Sequence, residues 1–260
     1  MGRGLERLEL MPRRGDDGLA PELALAAGGE KLLALPALPG ATLPRLTAWE
    51  QFRLLRTRIL EAARERNLRH VLVTSSVMGE GKTLVSANLA LSLSQLEDKR
   101  VLLVDADLRR PSLHTIFGQV VRCGLSDCLG DEQGWAETVL RLHPRLDYLP
   151  CRPAAERSAE LLNQRRMKDL LAEFASAYDL VVVDSAPLSP IADTQILSRL
   201  VDGAVLVVRA GKAPYPLARQ SAALLEPKLL GVVLNGVERP AQRTYGYGYY
   251  APQRQDGGIR

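Results

Sequence analysis

Cysteine is scarce in this chain: 260 residues carry three, Cys123, Cys128 and Cys151, odd in number and without C-x-x-C spacing. That pattern excludes a disulfide framework, gives a zinc site no ligand spacing even with His143 nearby, and indicates a reducing compartment with buried thiols. Long apolar runs are missing as well. None approaches the ~18 residues of a membrane span, and the N-terminus has no apolar core of signal-peptide length. Glu6 breaks the myristoylation pattern that Gly2 begins. The expectation is a cytoplasmic protein whose membrane role, if it has one, requires a partner. Nor is there a large excess of one charge. The net charge of +4 rests on arginine, which fits a solvated surface more readily than a nucleic-acid footprint.

What the chain does have is apolar content, 46% of residues. That suffices for the core of one α/β domain with tails. The stretch VLVTSSVMGEGKTLVSANLA, Val71 to Ala90, reads as a buried strand, a glycine-bearing turn ending in Gly81-Lys82-Thr83, and a helix opening at that turn. Successive backbone N–H groups at a helix N-terminus cradle phosphates. On that reading the nucleotide lies along Met78, Gly79, Glu80, Gly81, Lys82, Thr83 and Leu84, with Lys82 on the terminal phosphates and Thr83 on magnesium. Ser76 stands where the first glycine of G-x-x-x-x-G-K-[ST] is usual.

Residues 1–46 mix Arg, Gly, Pro, Leu and Ala without helical or strand period and read as a flexible leader, either a disordered arm or a docking segment. Residues 47–237 form the folded domain. Thr47 is a plausible cap for a helix to about Arg66, with Phe52, Leu55, Ile59 and Ala62 on one stripe. Glu50, Arg53 and Arg56 lie on an arc away from that stripe, as a solvated face or a subunit contact.

Two further strands end in acids. Arg100 to Asp107 delivers Asp105 and Asp107, two residues apart, to the C-terminal edge of a sheet. Such a pair divides the tasks of holding magnesium and accepting a proton, with Arg109 next to it to stabilise developing charge. Tyr178 to Asp184 ends in Asp184, placed as a Walker B acid on magnesium. Helices are expected over 113–117 and 159–177, and strands at 146–149, 203–208 and 229–234. Asn235 ends the last of these, as a contact to the nucleotide base or as a plain loop residue. The alternation implies a mostly parallel sheet with helices on both faces, a P-loop NTPase fold with ligands at the strand C-termini.

Residues 238–260 lack apolar periodicity but hold Tyr245, Tyr247, Tyr249 and Tyr250, four of the seven tyrosines. Exposed tyrosines on a glycine-loosened tether suit a kinase substrate; a low-complexity tail and an RNA-stacking segment compete.

The set resembles the bacterial tyrosine kinases that regulate capsule and exopolysaccharide synthesis. Its markers, in order from Glu50 to Tyr250, are E-x-x-R-x-x-R (Glu50, Arg53, Arg56), G-E-G-K-T (Gly79–Thr83), V-D-A-D-L-R-R-P (Val104–Pro111), V-V-V-D-S-A-P (Val181–Pro187), G-V-V-L-N (Gly231–Asn235) and the tyrosine cluster. The resemblance implies ATP with Mg2+, and γ-phosphoryl transfer to tail tyrosines of a neighbouring subunit in a homo-oligomeric ring held partly through the first helix. It further implies a membrane adaptor of the polysaccharide co-polymerase kind that recruits the chain to the inner face of the membrane, since the chain lacks a transmembrane part, and a cognate tyrosine phosphatase. No nucleic acid is expected. Within that pattern Thr83, Asp107 and Asp184 organise magnesium, and Lys82, Asp105, Asp107 and Arg109 carry the chemistry. Asp105 is the candidate for orienting or deprotonating the tyrosine hydroxyl, exchangeable with Asp107. Met78 departs from the family's usual proline. The partition and septum-placement ATPases are the rival reading, a nucleotide-gated dimer switch; they carry a second lysine where this chain has Val77, and no tyrosine tail.

Overall fold

The computed structural model describes residues 49–130, 133–190 and 192–237 in full and, as backbone alone, residues 7–10, 23–25, 31–33 and 43–48. Short strands β1 (Arg7–Leu10), β2 (Leu23–Leu25) and β3 (Lys31–Leu33) precede helix α1 (Leu43–Arg66). Then come β4 (His70–Ser75), α2 (Lys82–Ser94), β5 (Val101–Ala106), α3 (Leu113–Phe117), α4 (Leu125–Leu129) and α5 (Trp135–Thr138). A hairpin of β6 (Leu140–His143) and β7 (Leu146–Leu149) leads to α6 (Ser158–Leu162) and α7 (Arg165–Ala177). The chain closes with β8 (Leu180–Ser185), α8 (Ala192–Leu200), β9 (Gly203–Arg209), α9 (Tyr215–Leu225) and β10 (Leu229–Asn235).

The sheet runs β1-β10-β9-β4-β8-β5-β7-β6. Neighbours are parallel except β6 on β7. Strands such as VVV and VLLV are apolar on successive residues because both faces of a parallel sheet are covered. Side chains alternate between those faces. Val71, Val73, Val101 and Leu103 pack beneath α1 and α2 with Phe52, Leu55, Ile59, Leu89 and Leu93. Leu72, Leu102, Val104, Val181 and Val183 turn the other way, onto Met167, Leu170 and Phe174 of α7 and Leu197 of α8. Phe52 is 1% exposed and Phe174 0%, so truncating either to alanine would cost about 3–5 kcal/mol. The strand order places β4 at the centre, with β8 and β9 as its neighbours. The loop after β4 therefore opens beside the ends of β8 and β9, with β5 one strand further along.

Three expectations shift. Helix α1 begins at Leu43, so Thr47 lies inside it; Pro44 sits in the first turn, where its missing N–H has no helical partner to lose. The single helix expected over 159–177 is two, α6 and α7, because Gln164 is extended (φ −71°, ψ 155°). Leu161 and Leu162 of the first and Met167, Leu170 and Phe174 of the second still enter one core. Strand β6, unread in the sequence, gives the sheet an antiparallel edge. The leader boundary at 46 falls within α1, and the tyrosine tail, 238–260, lies outside the described residues. No helix among the described residues is long and apolar enough to cross a membrane.

Candidate functional site

Strand β4 ends at Ser75, and the chain turns through Ser76–Gly81 before entering α2 at Lys82. Gly79 and Gly81 have φ of +77° and +93°, the left-handed region that L side chains avoid. At Gly81 a Cβ would also stand 2.2 Å from Asn235 Nδ2. The loop is stitched from below. Glu80 is fully buried; its Oε2 accepts the Val77 N–H at 2.9 Å and its Oε1 the Arg209 N–H at 3.1 Å. Burial pushes the Glu80 carboxyl up, opposed by the amides it accepts. Asn235 Nδ2 donates to the Glu80 carbonyl at 2.9 Å. Glu80 and Asn235, both expected to meet nucleotide, thus brace the loop with their side chains.

Around the loop's exit stand three carboxylates and one ammonium. Lys82 Nζ is 3.0 Å from Asp107 Oδ2, 3.7 Å from Asp184 Oδ2 and 3.1 Å from Thr83 Oγ1. Burial lowers the Lys82 pKa, but the charges of Asp184 and Asp107 more than offset this and raise it. Asp184 is 0% exposed; its Oδ1 accepts the Ser86 hydroxyl at 2.9 Å and its Oδ2 has no hydrogen-bond partner. Burial pushes Asp184 up, opposed by Lys82. Asp105, also 0% exposed, accepts the N–H groups of Ser112 and Leu113 at 3.1 Å on Oδ2 and that of Asp107 at 3.3 Å on Oδ1. Burial first, then the charge of Asp184, pushes its pKa up to about 8. These acids meet because β5 and β8 are neighbours in register, Asp105 opposite Asp184.

A divalent cation fits this group. Thr83, Asp107 and Asp184 are hard oxygen donors of the kind that bind magnesium, and Asp184 Oδ2, buried without a hydrogen bond and with its nearest cation, Lys82 Nζ, 3.7 Å away, leaves a charge that a closer cation would satisfy.

The other expected residues fall in varied places. Arg109 forks onto Asp193 of α8, Nε to Oδ2 at 2.9 Å and Nη2 to Oδ1 at 3.2 Å, so its guanidinium is engaged on the helix side. The adjacent Arg110 reaches the loop, its Nη1 3.3 Å from Met78 Sδ. Met78 is 52% exposed on the loop's crest; Leu84 is half-buried in the first turn of α2. Glu50 and Arg53 form an exposed pair on α1. Arg56 bends inward, donating to the Ser92 carbonyl of α2 at 2.8 Å. Tyr245, Tyr247, Tyr249 and Tyr250 lie outside the described residues. The sequence reading missed Ser86, Asp193 and Lys212, whose Nζ lies 3.4 Å from the Gly79 carbonyl. Only Ser86 had a local signal, standing four residues, one helical turn, beyond Lys82.

Residues 70–235 match the family model described as cellulose biosynthesis protein BcsQ. Tyrosine-protein kinase YwqD of Bacillus subtilis is 38% identical over 79% of this chain and 88% of its own length. The putative tyrosine-protein kinase CapB of Staphylococcus aureus is 29% identical over 80% of the chain and 91% of its own. Against the putative tyrosine-protein kinase EpsB of Ralstonia solanacearum, 34% identical, the match spans only 30% of that protein. Among solved structures, the kinase domain of Escherichia coli tyrosine kinase ETK superposes with a TM-score of 0.76 at 27% identity, covering 94% of this chain and 95% of that one. The septum site-determining protein MinD of Pyrococcus horikoshii, solved with Mg-ADP, shares the fold alone: TM-score 0.56 at 22% identity, over 64% of this chain and 70% of that one.

Proposed function

The chain belongs to the bacterial tyrosine-protein kinase family, and from that premise we propose that it transfers the γ-phosphoryl group of ATP to tyrosines of its own C-terminal tail, presented by a neighbouring subunit. The observation that carries the reading is the buried Lys82–Asp107–Asp184 group at the mouth of the phosphate loop. Backbone amides of Gly79–Thr83 and the Lys82 ammonium hold the phosphates in line for attack. Thr83, Asp107 and Asp184 would hold magnesium, which supplies neutralisation of charge on the transferring group. The tyrosine oxygen forms a bond to the γ-phosphorus as the bond to the bridging oxygen of ADP breaks, and the phenolic proton passes to a carboxylate. Asp105, whose carboxyl is held above the ordinary carboxylate range by burial and by the charge of Asp184, has raised basicity suited to that role, and its Oδ1, which accepts only the Asp107 N–H, keeps a lone pair for the proton. Asp107 is the other acid within the group.

The relatives' names also support a setting in capsule or exopolysaccharide synthesis, one of them being the succinoglycan biosynthesis transport protein ExoP of Rhizobium meliloti. In that setting the kinase works as a ring at the inner membrane face, recruited by an adaptor and reset by a tyrosine phosphatase. Incubation with Mg-ATP and adaptor fragment, followed by mass spectrometry, tests the reading. Phosphate is expected on Tyr245, Tyr247, Tyr249 or Tyr250. Phosphate confined to serine or threonine, or none at all, overturns it. Nucleotide-dependent dimerisation that persists when all four become phenylalanine, without phosphotyrosine, would place the chain with the switch ATPases.

A further inference from the structure

The phosphate loop contains one lysine, and that lysine is already committed. Lys82 lies against Asp107 and Asp184, with Asp105 close behind. An incoming polyphosphate therefore meets a site whose carboxylates outnumber its cation. Magnesium would answer for the carboxylates, but the outer lip of the loop calls for positive charge of its own.

Lys212 supplies it from another strand. It follows β9 in the loop 210–214, and its Nζ lies 3.4 Å from the Gly79 carbonyl. Among the described residues no carboxylate forms an ion pair with it. The approach to Gly79 is close: a Cβ there would stand 2.4 Å from the Lys212 ammonium. Gly79 is thus needed for its positive φ and also to leave room for this side chain. The loop bearing Lys212 is held at its base. Ala210 N–H donates to the Asn235 carbonyl at 2.8 Å and Lys212 N–H to the Arg209 carbonyl at 3.1 Å, while Gly211 takes a left-handed turn at φ +68°. The neighbouring Arg209 N–H is bound by the Glu80 carboxylate, which also holds the Val77 amide within the phosphate loop. One buried acid therefore fixes the spacing between the loop that wraps phosphate and the loop that brings the second cation.

We propose that Lys212 is a phosphate-clamping residue of the nucleotide site, contacting the polyphosphate chain over Gly79 from the side opposite Lys82. This rests on the nucleotide-dependent kinase reading above and adds a residue to it. The contact is charge on charge at an exposed position, so its signature is electrostatic. It should weaken with salt, grow with the number of phosphates, and survive replacement by arginine but not by alanine.

The test measures binding of fluorescent ATP and ADP analogues, with magnesium, to the full chain as wild type, Lys212→Ala, Lys212→Arg and Lys212→Met, alongside melting temperatures. Lys212→Ala and Lys212→Met should bind the triphosphate about tenfold more weakly, as loss of one charge-assisted contact predicts. They should lose less for an adenosine control, show a shallower salt dependence, and melt as wild type does. Lys212→Arg should restore most of the affinity. Triphosphate affinity and salt slope unchanged in Lys212→Ala would overturn the proposal, as would an equal loss for adenosine and ATP. If the wild-type chain itself fails to bind the triphosphate, the kinase reading fails first, so the two failures are distinguishable.

Discussion

Both ends of the central strands carry carboxylates, and they treat them in opposite ways. At the N-terminal edge Asp202 accepts the N–H groups of Arg69 and His70 at 2.8 Å and lies 3.0 Å from His70 Nδ1. Burial pushes Asp202 up, but those amides and the ring outweigh it and hold the pKa below its ordinary value. Asp147, on β7 at the same edge of the sheet, takes the Tyr178 hydroxyl at 2.8 Å and pairs with Arg141. At the C-terminal edge Asp105 and Asp184 are both pushed up, and Asp184 keeps an oxygen without a hydrogen bond. One edge is completed by the chain itself; the other is complete only when cations and phosphate arrive. A stability cost concentrated at one edge of a well-packed sheet is what a binding site looks like before its ligand is present.

The sharpest way to break this contrast is to remove the cation of the incomplete edge. Lys82→Met should lower tyrosine phosphorylation by about 10³-fold, with the fold retained, since positioning and charge neutralisation dominate phosphoryl transfer. A gel-based phosphotyrosine assay checks it. Next comes the brace beneath the loop. Glu80→Ala leaves the Val77 and Arg209 amides without a partner, at about 2–3 kcal/mol. That should lower the melting temperature by roughly 5–10 °C and weaken nucleotide binding as well. At the completed edge, Asp202→Ala should cost about 1–2 kcal/mol through lost hydrogen bonds. Activity per folded molecule should be untouched; a matching fall in kcat would erase the distinction between the edges.

The edges should also differ in the sign of their pH dependence. Asp105, raised from the ordinary carboxylate value to about 8, contributes stability that is present at acid pH and is lost as pH rises through its folded value. Asp202, lowered, contributes stability above its ordinary value that is lost as pH falls through the folded one. Melting temperature without metal should therefore decline from about pH 4 to about pH 8, and Mg-ATP should flatten the decline by answering the carboxylate charge. A metal-free profile that rises over this interval would contradict the assignment. The smallest intramolecular effect belongs to the first helix: replacing Glu50, Arg53 and Arg56 together by alanine should cost the folded chain only a few tenths of a kcal/mol for the exposed pair and somewhat more for the Arg56 contact. It should nevertheless reduce the assembled mass seen by light scattering; an unchanged mass removes these residues from the subunit contact.

Much of the architecture was legible because parallel strands, covered on both faces, leave uninterrupted apolar runs. The expected strands at 146–149, 203–208 and 229–234 match β7, β9 and β10 within a residue, and the strand expected ahead of the phosphate turn is β4. Helix α3 falls where it was expected. Strand β6 was missed because Leu140–His143 carries no such run; only Leu142 of the four is buried. The break between α6 and α7 has no proline or glycine to mark it. In the site, the acids were legible because each ends an apolar strand, whereas Asp193, the partner of Arg109, and Arg209, the second partner of Glu80, lie 84 and 129 residues away along the chain.

By itself, then, the sequence determined which residue types stand at the strand ends and that Gly79 to Thr83 opens a helix, because hydrophobic period and turn chemistry are local. Tertiary structure alone decided what those residues do for one another. It turned Glu80 and Asn235 inward as braces, drew Arg109 to Asp193, left Asp184 with an open oxygen beside Lys82, and brought Lys212 over Gly79. Those outcomes depend on strand order and register, which bring distant segments within a few ångströms and which no local pattern encodes.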